Sequence, residues 1–100
     1  MLKINGKTYK TPELGFNEMC QLEDMGVQII DMQRKPFGCV RAFVALAMQT
    51  DAETAGNAIE EHLMNGGKLD DVYTEMVKAA SESGFFQALN KAATEENTES

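Results

Sequence analysis

Histidine occurs once and cysteine twice in these 100 residues, at His62, Cys20 and Cys39, and there is no C-x-x-C pair. A four-ligand Cys/His zinc site therefore cannot be assembled. No apolar run approaches the roughly 18–20 residues of a membrane span. The opening Met1-Leu2-Lys3-Ile4-Asn5-Gly6 breaks into a turn instead of a signal-peptide apolar stretch. The sequence thus predicts a soluble, cytoplasmic protein, in which a structural disulfide is not expected. Bases are also scarce: nine Lys and Arg stand against 16 Asp and Glu, for a net charge of −7. Three of the nine are Lys3, Lys7 and Lys10, so residues 11–100, with six bases and all 16 acids, carry −10. Such a surface repels phosphate, which argues against nucleic acid and anionic membrane as partners.

What is present is enough for one packed domain. Hydrophobic residues make up 43% of the chain, and a chain of this size buries roughly two thirds of its unfolded surface. Residues 1–10 form two short extended runs around Asn5-Gly6, the dipeptide whose positive φ angles suit a type I′ turn. A two-residue loop pairs Ile4 with Lys7, Lys3 with Thr8 and Leu2 with Tyr9. Leu2, Ile4 and Tyr9 then share an apolar face that must rest on the helices, because an isolated hairpin is marginal in water.

Four or five helices are expected to follow. The first starts either at Thr11-Pro12 or nearer Phe16, carries a stripe of Phe16, Met19, Cys20, Leu22 and Met25, and stops at about Met25, where Gly26-Val27 fits a left-handed cap with its trailing hydrophobic contact. Val27, Ile29, Ile30 and Met32 read as a short helical turn. From Phe37 to Gln49 the apolar positions Val40, Phe43, Val44, Ala47 and Met48 fall at helical spacing, widened by Ala42, Ala45 and Leu46, which marks the centre of the core. Thr50 with Glu53 forms a capping-box pattern for a helix with Ala55, Ile59 and Leu63 on one face, ended by Asn65-Gly66-Gly67. Asp70 or Asp71 caps the last helix, whose stripe of Val72, Met76, Ala79 and Ala80 pauses at Ser83-Gly84 and resumes with Phe85, Phe86 and Leu89. The expected fold is mostly α (α+β), an N-terminal β-hairpin packed on four to five helices over residues 1–92. Residues 93–100 carry three acids and no large apolar side chain, and read as a disordered acidic tail.

No catalytic, cofactor-binding or metal-ligating constellation emerges. His62 follows Glu60 and Glu61 with no i, i+4 ligand partner, and reads as exposed and idle. Cys39 lies near a helix start and two residues from Arg41, a setting that lowers a thiol pKa. A nucleophile also needs a base, and only His62 offers one. Cys20 and Cys39 both read more simply as small buried side chains. The glycines of Asn65-Gly66-Gly67-Lys68 lack the phosphate-loop pattern, and Asp70, Asp71 and Glu75 lack that of a calcium loop. An acyl carrier protein would need a serine at a helix opening, which Lys68-Leu69-Asp70 and Thr50-Asp51-Ala52 do not supply. The chain is therefore not expected to be an enzyme.

Two features point to partners instead. Seven methionines serve either as core filler or as a surface that repacks around several partners. Phe85-Phe86 are adjacent, so on a helix they point about 100° apart. Either both rings are buried against the hairpin, or one faces a partner. The candidate partner surface is accordingly Phe85, Phe86 and Leu89 with Met64 and Met76. The basic hairpin edge, Lys3, Lys7 and Lys10, opposes the acidic remainder and is the candidate contact for weak head-to-tail homo-oligomers.

As an ordered set these pieces look familiar. The basic Asn5-Gly6 hairpin comes first, then Phe16-Asn17-Glu18-Met19-Cys20-Gln21-Leu22-Glu23-Asp24-Met25-Gly26, then Arg41-Ala42-Phe43-Val44-Ala45-Leu46-Ala47. Asp51-Ala52-Glu53-Thr54-Ala55-Gly56, the Asn65-Gly66-Gly67 break and Ser83-Gly84-Phe85-Phe86 follow. Over residues 1–90 this order resembles the tail assembly chaperones of long-tailed bacteriophages and prophages. The resemblance implies a non-enzymatic protein of the host bacterial cytoplasm. Such a protein coats the helical tape measure protein, keeps it soluble, and yields to tail tube protein, which in many members is recruited by a frameshifted extension. A small acidic adaptor or regulatory subunit that docks one helical protein is the alternative. A cysteine-dependent enzyme using Cys39 is the third.

Overall fold

The computed structural model describes residues 1–28, 33–85, 87 and 88. Among these residues, two strands, β1 (Leu2–Ile4) and β2 (Lys7–Tyr9), precede four helices: α1 (Phe16–Asp24), α2 (Pro36–Met48), α3 (Ala52–Met64) and α4 (Leu69–Glu82). The fold is mostly helical with a short antiparallel hairpin at its start, as expected. Asn5 and Gly6 take φ of 53° and 83°, the left-handed pair that a tight two-residue turn requires. They set the expected register: Leu2 opposite Tyr9, Lys3 opposite Thr8, Ile4 opposite Lys7. Leu2 and Ile4 are buried, Tyr9 is half-buried, and Lys3, Thr8 and Lys10 are exposed. β1 packs against α3 and α4.

α2 is the central element. It touches α1, α3 and α4, and Cys39, Val40, Ala42, Phe43, Val44 and Ala45 are all buried. A helix buried nearly all round carries its apolar residues nearly all round, and only Arg41 interrupts that run with an exposed side chain.

Three helices end in the same hydrogen-bonded motif, in which a left-handed residue turns the chain back on the last turn. In α1, Gly26 (φ 88°) donates to Glu23 O and Val27 to Leu22 O, at 2.9 and 3.1 Å. Val27 is buried there as the expected trailing contact. In α3, Gly66 (φ 95°) donates to Leu63 O and Gly67 to His62 O, at 3.2 and 2.8 Å. In α2 the left-handed position is held by Gln49 (φ 56°), and Thr50 donates to Ala45 O at 3.0 Å. No glycine marks this end in the sequence.

Several expectations are corrected. α1 begins at Phe16, with the Gly15 N–H donating to Glu18 Oε1 at 3.1 Å. Thr11 caps nothing and instead donates to Glu75 Oε2 on α4 at 3.2 Å. The cap of α3 is Asp51, not Thr50: its carboxylate accepts the Thr54 N–H at 2.6 Å. Lys68 precedes α4, so Asp70 and Asp71 lie inside the first turn, where a negative charge still favours the helix dipole. Phe16 and Cys20 are exposed, because among the apolar side chains of the nine-residue α1 only Leu22 is buried and Met19 half-buried, with Met25 half-buried at its C-cap. The expected helical turn at 27–32 is not helical at Val27 and Gln28, and Ile29, Ile30 and Met32 lie outside the described residues. Residues 93–100 lie outside them as well.

At Ser83 the chain leaves α4 in an extended conformation, as the sequence pause implies. The Ser83 hydroxyl is buried and donates to Leu14 O at 2.5 Å. Leu14, in the loop before α1, has no exposed surface. This hydrogen bond fastens the end of α4 to the loop before α1, and the Gln87 N–H donates to Ser83 O at 3.0 Å.

Candidate functional site

Among the expected partner-binding residues, the structure gives each a different setting. Met76 is wholly buried and belongs to the core. It follows Val72 at helical spacing on the inward stripe of α4, so it cannot meet a partner while the domain is folded. Met64, at the end of α3, is 79% exposed. Phe85 is half-buried, with its ring edge-on to Phe16 at a centroid distance of 5.7 Å and an interplanar angle of 83°. This geometry suits the aromatic quadrupole, and it places Phe85 on α1, not on the hairpin. Phe86 and Leu89 lie outside the described residues. Met64 and Phe85 flank opposite ends of α4, whose 14 residues span about 21 Å. They do not form one surface.

A different apolar surface is present. Phe37, Val40, Ile59, Leu63 and Leu69 line an open groove of about 330 Å³ on α2, α3 and the start of α4, and among the described residues Arg41 is the one charged side chain that lines it. Phe37 is 73% exposed and Leu63 37% exposed. The groove follows from local sequence. Pro36 at the first helical position fixes the start of α2, which places Phe37 in the opening turn, before the buried run begins. Gly38 and Gly56 also line the groove. A side chain at Gly38 would press on Val27 Cγ1 at 3.1 Å, and one at Gly56 on Arg41 Cδ at 3.2 Å. On α3, Asp51 secures the helix start, and the Thr54 N–H that it accepts holds its carboxyl below the ordinary range.

A larger cleft, of about 810 Å³, runs along α1 and the α2–α3 turn and includes Lys10, Glu13, Glu18, Asp24 and Asp51. Two of its carboxylates already serve as helix-start acceptors, to Gly15 N–H and Thr54 N–H. Among the described residues, no group of three His, Cys, Asp or Glu side chains is placed to hold a metal ion. Cys39 is buried as expected, with Sγ donating to Gln28 O at 3.4 Å, whereas Cys20 is exposed. His62 is not idle: it is half-buried, and its Nδ1 accepts the Asn5 N–H at 2.8 Å. Lys3, Lys7 and Lys10 are exposed, as the oligomer-contact expectation requires of them. No helix of the described residues is long and apolar enough to cross a membrane.

No protein-family model matches the chain, and no curated protein or solved structure matches it either.

Proposed function

We propose that this chain is a tail assembly chaperone of a long-tailed phage or prophage, a binding protein without catalysis that acts in the host cytoplasm. Its client is the tape measure protein, whose long helix needs cover before the tube forms around it. The observation that carries the reading is the groove beside Phe37, where large apolar side chains stay exposed on a domain with a complete core. Apolar grooves between helices are a recurrent seat for amphipathic helices, and an acidic body of net −7 keeps such a complex soluble. The order of sequence pieces that resembles the chaperone family supports the same client. In this reading the tail tube protein is met later, and copies of the chain associate through Lys3, Lys7 and Lys10 against the acidic body of a neighbour.

Co-expression tests it. Tape measure protein produced with the chain should stay soluble and co-purify with it, and should aggregate without it. Aggregation in both cases would remove the chaperone reading. Capture of a different helical protein by the same groove would favour the adaptor.

A further inference from the structure

We propose that the groove selects for a carboxylate: it seats two turns of an amphipathic helix whose Asp or Glu meets Arg41 while its apolar stripe lies on Phe37, Ile59 and Leu63. The proposal rests on the groove being a helix-docking site and adds what it recognises.

The groove has two unlike ends. α2 and α3 are joined by a three-residue turn; Arg41 lies against Gly56, and Phe37 and Leu63 line the same groove. From Gly56 to Leu63 is seven residues of α3, about 10 Å or two turns. One end is therefore wholly apolar, with Phe37, Leu63 and Leu69, and the other carries a single guanidinium.

Among the described residues Arg41 has no ion-pair partner. Although the chain has 16 acids, no carboxylate among the described residues lies within ion-pair distance of Arg41. The side chain is exposed on the helix that is otherwise the most buried. Its stem is seated by Gly56, where an added Cβ would meet Cδ at 3.2 Å and Cγ at 3.7 Å. Glycine is the poorest helix former apart from proline, yet it occupies the interior of α3 at the point where the Arg41 stem crosses. A guanidinium whose stem is seated at one end of an apolar groove offers a planar two-donor site for a carboxylate. Elsewhere the acidic body repels acidic segments, so the position of the acid relative to the apolar stripe sets which segment binds and in which direction.

The test uses the full chain and synthetic amphipathic peptides about 16 residues long, enough for marginal helicity, with leucine at i, i+3, i+4 and i+7. A glutamate one turn before or one turn after the stripe is compared with glutamine and lysine at the same place, by fluorescence anisotropy. One of the two glutamate peptides should bind tightest, and its glutamine counterpart about five-fold more weakly, as for a partly exposed charged contact. Arg41→Gln should erase that difference, and Arg41→Glu should transfer the preference to lysine. Equal binding of all three peptides, or a glutamate preference that survives Arg41→Gln, would overturn the proposal while leaving the groove as a docking site. Absence of binding by every peptide, or binding unchanged by Phe37→Asp, would overturn the docking reading and the proposal with it.

Discussion

The imidazole of His62, in the last turn of α3, accepts the backbone N–H of Asn5, in the hairpin turn, at 2.8 Å through Nδ1. Asn65 reinforces the same junction by donating from Nδ2 to Asn5 Oδ1 at 3.1 Å. A residue 57 positions away along the chain thus holds the turn whose two left-handed residues set the strand register. Gly67 completes the junction, because a Cβ there would fall 2.2 Å from His62 Nε2, far inside van der Waals contact with the ring.

This junction makes the first prediction. Gly67→Ala displaces the imidazole, so its cost includes the loss of the Asn5 hydrogen bond, about 1 kcal/mol, together with the steric cost. In a His62→Ala background the ring is gone, and the same substitution should cost markedly less. A double-mutant cycle from urea melts measures the coupling. Strictly additive costs would show that the ring and Gly67 do not share the site.

Gln49 supplies the second. Left-handed backbone costs a residue with a Cβ about 1–2 kcal/mol relative to the right-handed form, and glycine is free of that cost. Gln49→Gly should therefore stabilise the domain by about 0.5–1 kcal/mol. Thermal unfolding checks it, and a lowered melting temperature would contradict the α2 cap geometry.

Asp51 gives a pH dependence. Its carboxyl is held below the ordinary value, chiefly by the Thr54 N–H. A group whose folded pKa is depressed contributes stability above its unfolded value, about 3.9, and loses it as pH falls through the folded value. Wild type should exceed Asp51→Asn in melting temperature at neutral pH, and the two curves should converge below about pH 4. A constant difference down to acid pH would assign the cap to neutral hydrogen bonding alone.

The lysines of the hairpin give the fourth. If Lys3, Lys7 and Lys10 pair with the acidic body of a neighbour, sedimentation should show weak association at low salt that disappears at high salt. Replacing all three by glutamine should abolish it. A chain that remains monomeric at high concentration and low salt would leave the lysines as a guard on an open strand edge.

What the sequence made legible was local. Asn5-Gly6 determined the hairpin register, and the breadth of the α2 stripe marked the core, because both signals depend on neighbouring residues. The groove depended on packing. Ala55, Ile59 and Leu63 read as one face, but two steps of four residues rotate about 80° past two full turns, enough to carry Leu63 from the core to the groove wall. The adaptability of methionine points to Met76 as a partner contact, whereas its spacing from Val72 and Ala79 places it on the buried stripe of α4. The roles of His62 and of Leu14 with Ser83 have no local signal, since each bond joins residues far apart in sequence.

The helical client is proposed to lie in the groove beside Phe37. Phe37 is 73% exposed, so Phe37→Asp should leave the melting temperature near wild type while weakening capture of tape measure protein by about 2 kcal/mol or more, the scale of an aromatic hot spot. Phe85→Asp, past the opposite end of α4 from Leu69, serves as the comparison and should spare capture. A folded Phe37→Asp protein that captures the client as wild type does, with capture lost in Phe85→Asp, would contradict the claim and move the site to the Phe16–Phe85 surface.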